Sequence, residues 1–270
     1  MENLQAHANN MRKNIVKMIH NASSGHPGGS LSCTDILTAL YFNVMNINKD
    51  NLNDQKRDKF VLSKGHASPA LYAVLAEKGF IQEEELMTFR LINSNLQGHP
   101  NMQECPGVDM STGSLGQGLA VGVGMSLANK LDGNDFRTYV LCGDGELQEG
   151  EIWEAAMAAH QFKLDNLLCI VDHNKLQIDG FNKDVNDVEP IDKKFEAFGW
   201  KTFAVDGHDI DAVTEACKKA AEVKGQPSVI IAETVKGKGV SFMENQAGWH
   251  GKAPNDEQLA QALEELGGNQ

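Results

Sequence analysis

The sequence predicts an α/β protein that is doubly wound, with a mainly parallel sheet and helices on both faces. Five short segments are apolar at every position, which is typical of strands buried on both faces. Helical patterns alternate with these segments, and alternation of strand and helix indicates parallel strands. The 270 residues show no repeat and no low-complexity linker, so we expect a single domain over residues 1–270.

The predicted elements are placed by local patterns along the chain. A helical pattern at 34–45 comes first, and the polar stretch 46–57 predicts a surface loop. After a strand at 60–62, a Gly-His pair opens the helix at 67–78, and a glycine-rich run opens the helix at 115–131. The remaining elements are strand 139–142, helix 151–162, strand 167–171, helix 191–198, strand 203–205, helix 210–223, strand 229–232 and an acidic helix at 256–266.

Composition excludes several classes of function. The chain has 24 Lys+Arg against 37 Asp+Glu, a net charge of −13, so no basic excess is available to bind a nucleic acid backbone. No stretch approaches the ~20 apolar residues of a membrane span, and residues 1–21 are too polar for a signal peptide. The five cysteines form no CxxC pair, which predicts a reduced cytoplasmic protein without a disulfide framework or thiolate zinc site.

Two polar groups follow predicted strands that are one helix apart in the chain. Gly143-Asp144-Gly145-Glu146 follows the strand at 139–142, and Asn174 follows the strand at 167–171. Parallel strands present their carboxyl ends at one edge of the sheet, so Asp144 and Asn174 are expected to converge there. Oxygen donors of this kind suit Mg²⁺, and the glycines allow a diphosphate to approach the backbone. Either motif alone also fits a tight turn, and only the pair in strand context favours a ligand site.

These segments resemble the thiamine diphosphate motif of transketolases, which begins with Gly-Asp-Gly and ends in Asn. The similarity includes Lys175-Leu176-Gln177-Ile178-Asp179-Gly180 directly after Asn174. Other motifs follow in the family's order: Ser24-Gly25-His26-Pro27-Gly28, Leu62-Ser63-Lys64-Gly65-His66, Gly98-His99-Pro100, Thr112-Gly113-Ser114-Leu115-Gly116-Gln117-Gly118 and Trp249-His250-Gly251-Lys252. The resemblance covers nearly the whole chain and implies the thiamine diphosphate-binding fold.

The resemblance also implies roles for individual residues. Mg²⁺, with Ca²⁺ or Mn²⁺ as possible substitutes, would be held by Asp144, Asn174 and the main-chain carbonyl of Leu176. Thiamine diphosphate would be bound by His66, Gly113, Ser114, Leu115, Asp144, Gly145, Glu146, Asn174, Lys236 and His250. The catalytic residues would be His26, His66, His99 and His250, and the sugar would face His26, His99, His250 and Lys252. Two positions depart from the family pattern: His173 stands where many thiamine enzymes have Asn, and Gly29 where some relatives carry Ser.

The histidines support the same interpretation without the resemblance. His26, His66 and His99 each follow a glycine in a Gly/Pro loop, where a ring can reach a ligand rather than pack in a core. Their pKa range suits proton movement on sugar hydroxyls near neutral pH. His208 also follows a glycine, but its sequence context predicts a turn and helix cap before Ile210. His160 lies within a predicted helix and is expected to be packed or exposed.

The family's pyrimidine-binding half, with its glutamate, and its C-terminal domain have no counterpart in these motifs. We therefore expect the N-terminal subunit of a split transketolase, inactive until a separate C-terminal subunit completes an α2β2 assembly. The implied reaction moves a two-carbon ketol unit from a ketose phosphate to an aldose phosphate, as in the pentose phosphate pathway. The alternatives are the α subunit of a 2-oxo acid dehydrogenase, a transketolase for a specialised sugar, and a non-catalytic binding subunit.

Overall fold

The computed structural model describes residues 3–267 and contains a central sheet flanked by helices. The strands are β1 (Lys59–Leu62), β2 (Thr138–Gly143), β3 (Leu167–His173), β4 (Leu176–Gln177), β5 (Gly180–Phe181), β6 (Lys201–Asp206) and β7 (Ser228–Glu233). The helices are α1 (Leu4–Asn21), α2 (Pro27–Ser32), α3 (Thr34–Ala39), α4 (Ser68–Glu77), α5 (Gln117–Leu131), α6 (Gly150–Gln161), α7 (Asn182–Val185), α8 (Ile191–Ala197), α9 (Ile210–Glu222) and α10 (Asp256–Glu265). The described helices do not include one that is both long and apolar enough to cross a membrane.

The main sheet has five strands in the order β1-β2-β3-β7-β6, and every neighbouring pair is parallel. The pairing aligns Gly143 of β2 with Asp172 of β3, and Asp172 with Ala232 of β7. The carboxyl ends of these three strands therefore lie side by side. The short strands β4 and β5 form a separate antiparallel hairpin directly after β3.

Helices cover both faces of the sheet, which confirms the doubly wound arrangement. One hydrophobic core joins one side of the strands to α1, α3, α4 and α9, and the other joins the opposite side to α5, α6 and α8. Alternate side chains of β3 enter the two cores: Leu168 and Ile170 enter the first, and Cys169 and Val171 enter the second. All seven residues of β3 are buried, and its first five, Leu167 to Val171, form the continuous apolar run that was predicted as a strand.

The structure differs from the sequence prediction at α1 and at the start of α5. Residues 4–21 form α1, a helix that the polar composition of this segment did not predict; its Met11, Ile15, Met18 and Ile19 recur at helical spacing and are buried. The helix predicted at 115–131 begins at Gln117, because Gly116 adopts a left-handed φ of 90°. The strand predicted at 203–205 is confirmed as part of β6, at the edge of the sheet.

The cysteines agree with the prediction from their spacing. All five are free thiols and buried: Cys33, Cys105, Cys142, Cys169 and Cys217. They contribute to packing as small apolar side chains.

Candidate functional site

A cavity of about 360 Å³ opens at the carboxyl ends of β1, β2, β3 and β7, where polar side chains predicted from the sequence converge. The predicted residues that line it are His26, His66, Gly113, Leu115, Asp144, Gly145, Glu146, Asn174, Leu176, Lys236 and His250. The sheet order explains this convergence, because residues far apart in sequence follow neighbouring parallel strands.

Asp144 and Asn174 form an oxygen-rich wall of the cavity. The Asp144 carboxylate is buried and accepts hydrogen bonds from the Gly145 N–H (2.8 Å) and the Lys175 N–H (2.5 Å). Burial, and then the neighbouring Asp172 carboxylate, raise the pKa of Asp144. Asn174 donates from Nδ2 to Asp172 Oδ2 (3.0 Å), and its other amide atom, Oδ1, accepts a hydrogen bond from the Leu176 N–H (3.2 Å).

This wall fits a hard divalent cation. Burial without a cationic partner disfavours the charged form of Asp144, and a cation in the cavity would reverse that effect. Within residues 3–267 no group of three or more His, Cys, Asp or Glu is arranged to hold a metal. A metal here therefore depends on a mixed set of one carboxylate, the Asn174 amide oxygen and the Leu176 carbonyl, as Mg²⁺ accepts.

A buried ion pair that the sequence analysis did not assign lies beneath this wall. The Lys64 ammonium donates to Asp172 Oδ2 (2.5 Å) and to the Gly29 carbonyl (2.7 Å), and the two charged side chains are 1% and 0% exposed. Asp172 also accepts hydrogen bonds from Ser32 and Thr234. Burial opposes the charge on Asp172, but Lys64 and these donors lower its pKa overall.

The opposite wall of the cavity is a cluster of three histidine rings. The ring centroids of His26, His66 and His250 lie 5.1 to 5.4 Å apart in every pair. Lys236 connects this cluster to the oxygen-rich wall, since its ammonium lies 3.0 Å from His250 Nδ1 and donates to the Leu176 carbonyl at 2.9 Å. His26 Nδ1 is buried and has no hydrogen-bond partner among the described residues.

The environment keeps these imidazoles neutral near pH 7. Burial, followed by the positive charge of Arg90, lowers the pKa of His26 to about 4. Burial, followed by Lys236, lowers that of His250 to about 3, and burial followed by Lys64 lowers that of His66. Lys236 itself has its pKa lowered to about 8, first by burial and then by Lys64. Neutral rings can donate and accept hydrogen bonds at sugar hydroxyls, although pKa values this low make them weak bases near pH 7.

Close backbone approach at Gly113 depends on the absence of a side chain. Gly113 has φ of 151°, and a Cβ there would lie 3.1 Å from the His99 ring. His99 therefore packs on the loop that borders the cavity, although it is not among the lining residues. Burial, then Arg90, lower the pKa of His99 as well.

Three other predicted site residues differ in their placement. Ser114 is exposed and does not line the cavity. Lys252 is exposed too, and its ammonium lies 4.8 Å from the centroid of the Trp249 ring. Glu146 lines the cavity, but its carboxylate accepts hydrogen bonds from Ser63, Gly116 and Gly143, so it mainly holds loops together.

The two histidines that were predicted to lie outside the site, His208 and His160, contact other parts of the fold. The His208 N–H donates to Asp206 in the predicted turn, while its ring links Asp35 (2.8 Å) to the Val235 N–H (2.8 Å). His160 is exposed, with Nδ1 3.2 Å from the Gly199 carbonyl oxygen. Neither ring lines the cavity.

The cavity is also lined by residues outside the predicted set of site residues. They are Gly29, Lys64, Gly143, Gln148, Glu149, Gln177 and Ile178. Lys64 lay inside a recognised motif, and a charged side chain between a buried strand and a Gly-His pair was the signal available for it. Glu149 lies directly before the first residue of α6 and lines the cavity.

Comparisons with known proteins identify the family to which the chain belongs. The chain is 44% identical over 266 residues to an apulose-4-phosphate transketolase subunit from Phocaeicola vulgatus, covering 98% of this chain and 94% of that one. It is 44% identical over 263 residues to the 6-deoxy-6-sulfo-D-fructose transketolase subunit SqwG of Clostridium sp. strain MSTE9, covering 97% and 96%. The transketolase structure from Campylobacter jejuni matches with a TM-score of 0.91 and 36% identity, over 98% of this chain and 43% of that one.

The family model described as "Transketolase, thiamine diphosphate binding domain" matches residues 4–270. This match decides against the α subunit of a 2-oxo acid dehydrogenase, and it confirms the resemblance seen in the motifs. The protein therefore belongs to the transketolase family, of which it carries the thiamine diphosphate-binding domain.

Proposed function

We propose that this chain is the N-terminal subunit of a split transketolase that moves a two-carbon ketol unit from a ketose phosphate to an aldose phosphate. One observation carries the proposal: an oxygen-rich wall and a cluster of neutral histidines face one cavity, and Lys236 contacts both. The first wall suits a metal-bound diphosphate, and the second suits a polyhydroxy substrate.

The metal and cofactor sites form the first part of the proposal. Asp144, Asn174 and the Leu176 carbonyl would hold Mg²⁺, and Gly145 would let the diphosphate approach the backbone. Lys236 adds a positive charge on the same side of the cavity. When bound, thiamine diphosphate supplies a ring that stabilises the carbanion left by cleavage of the sugar.

The histidines would bind and orient the sugar. His26 and His250 present neutral rings at the cavity, and the unpartnered His26 Nδ1 is available to a hydroxyl. His99 borders the same space across Gly113. Such rings can donate and accept hydrogen bonds at the sugar hydroxyls and so orient the sugar for ketol transfer. Lys252 would reach a sugar phosphate only after leaving the Trp249 ring.

A separate subunit would complete the site in this proposal. Two relatives of nearly the same length are both named as subunits of transketolases. Apolar side chains beside the cavity are exposed, with Ile178 at 67%, Phe181 at 44% and Val185 at 44%. Exposed apolar side chains grouped near a site are typical of a surface that another chain covers. We propose that a pyrimidine-binding subunit covers them in an α2β2 assembly.

The sugar could be a specialised one. The two relatives are named for apulose 4-phosphate and for 6-deoxy-6-sulfo-D-fructose, rather than for the common pentose phosphates. A transketolase for such a sugar is therefore the second candidate, and the cofactor half would be the same in both. The proposal also includes the pentose phosphate pathway and a cytoplasmic location. The five free cysteines are compatible with the cytoplasmic location.

The metal assignment is tested by calorimetry on the enzyme reconstituted with its partner subunit. Asp144→Ala is expected to abolish Mg²⁺-dependent binding of thiamine diphosphate, because it removes the only carboxylate of the proposed donor set. Asp179→Ala is the matched control, since Asp179 is exposed in the hairpin that follows the site. Unchanged affinity in the Asp144→Ala enzyme would remove this residue from the metal.

The requirement for a partner is tested with the purified chain. We expect no ketol transfer from xylulose 5-phosphate to ribose 5-phosphate by the chain alone, and turnover once the partner chain has been added. Appreciable turnover by rigorously purified chain would contradict the split site. A panel of donor sugars, including the two named above, would then separate the two candidate functions.

A further inference from the structure

Arg90 lies behind two of the proposed sugar-binding loops without a carboxylate partner. Arg12 and Arg57 are both paired with carboxylates, those of Asp35 and Asp109. Within residues 3–267 no carboxylate lies within ion-pairing distance of Arg90 or of Arg137, and the Nε of each is buried without a hydrogen-bond partner. Arg90 lies over the Phe89 ring, with Cζ 5.4 Å from the ring centroid. In a chain with net charge −13, an unpaired guanidinium at this position calls for an explanation.

The contacts of Arg90 connect two loops that each end in a Gly-His pair. Its Nη1 donates to Ser24 Oγ at 3.2 Å, in the loop that carries His26. The guanidinium packs on Gly98 in the loop that carries His99, and a Cβ on Gly98 would lie 2.7 Å from Cζ. These are two separate contacts, one with each loop.

The backbone holds Arg90 in this position. Arg90 has a left-handed φ of 61°, which is uncommon for a residue with a side chain. Its N–H donates to the Leu96 carbonyl at 2.9 Å, which closes the loop between the two residues. The preceding Phe89 is buried and packs below Gly25, so the guanidinium has little freedom to turn away.

We propose that Arg90 is a positioning residue that joins the His26 and His99 loops and holds a positive charge against both rings. The role of Arg90 in catalysis rests on the proposed function, because that role requires the His26 and His99 rings to face the sugar. The other titratable or charged groups that face His26 are His66, His99, His250 and Lys236. Arg90 is the charged group that acts on His26 and His99 alike.

The electrostatic part is tested by NMR titration of the full chain, with the His26 and His99 signals assigned by single His→Gln variants. Arg90→Met is expected to shift both titration curves to higher pH, because a like charge that opposes protonation is removed. Lys218→Met removes a positive charge from an exposed helix position and is expected to leave both curves unchanged.

A second variant tests the same point if Arg90→Met fails to fold. Gly98→Ala keeps the charge but pushes the guanidinium away, because the new Cβ overlaps the flexible end of the arginine. It is expected to shift the His99 and His26 curves in the same direction as Arg90→Met. Unchanged curves in the folded variants would overturn the proposal, whether or not the chain is a transketolase subunit.

The positioning part is tested by kinetics of the reconstituted enzyme. Arg90→Lys keeps the charge but loses the planar fork that spans the two loops. We expect KM for the donor sugar to rise roughly tenfold, as for loss of a charge-assisted contact, with kcat changed much less. Equal loss of kcat and kcat/KM with unchanged KM would overturn the positioning role, while the NMR result would still report on the charge.

Discussion

Replacing Lys64 by methionine tests the buried ion pair on which the site rests. Lys64 is 1% exposed and its partner Asp172 is 0% exposed, with 2.5 Å between the charged atoms. The substitution keeps most of the side-chain volume but leaves the carboxylate buried without its cation. Breaking a buried pair in this way costs about 3–5 kcal/mol, because the remaining charge is uncompensated.

The surroundings of Asp172 place the expected loss near the lower end of this range. Ser32, Thr234 and Asn174 still donate hydrogen bonds to the carboxylate after the lysine is gone. We therefore expect Lys64→Met to lower the free energy of unfolding by about 3 kcal/mol. That is a large part of the 5–15 kcal/mol typical of a domain, so the effect is readily measured.

The assay is urea unfolding of the full chain, followed by tryptophan fluorescence. The double variant Lys64→Met with Asp172→Asn is expected to recover much of the loss, because no buried charge then remains. Lys218→Met, which removes an exposed lysine, serves as the control and is expected to have little effect. A loss below about 1 kcal/mol for Lys64→Met, with an unchanged denaturant slope, would refute the reasoning.

Two further predictions concern pH and the glycines. The folded pKa values of His26 and His250 are about 4 and about 3, so the unfolded chain binds more protons than the folded chain below about pH 6.5. The free energy of unfolding should therefore fall as pH is lowered from about 6.5 toward about 4, and His250→Gln should flatten this dependence in urea titrations at several pH values. Gly65→Ala should lower the melting temperature, because its Cβ would lie 2.7 Å from the Gly113 nitrogen. Gly124→Ala, by contrast, has open space in α5 and should raise the free energy of unfolding by up to about 1 kcal/mol. A lower melting temperature for Gly124→Ala would contradict the last expectation.

The sequence was sufficient to predict the sheet and the edge at which the site lies. Both faces of β3 are buried, so its residues 167–171 appear in the sequence as a short run that is apolar at every position. Asp144 and Asn174 follow two such runs, and parallel pairing then brings them to one edge. Their convergence follows from local patterns and one topological rule, without knowledge of any contact.

Other features depend on contacts that no local pattern contains. The Lys64–Asp172 pair joins residues 108 positions apart, and although each residue lies shortly after an apolar run, no local pattern pairs one with the other. Arg90 contacts the Ser24 loop across 66 positions. The helix α1 was missed for a different reason: its polar composition concealed a regular buried stripe of Met11, Ile15 and Ile19.

Cations and carboxylates lie together around the cavity of this acidic chain. The whole sequence carries −13, yet Lys64, Lys236 and Arg90 lie around the cavity and beneath its loops. Asp172 neutralises Lys64, while the pKa of Lys236 is lowered to about 8, as expected of a buried cation without a carboxylate partner. Burial, and then the same positive charges, lower the pKa values of the surrounding histidines. In the proposed reaction Lys236 would help to bind the anionic cofactor. Burial, together with the nearby cations, keeps the rings that face the sugar neutral.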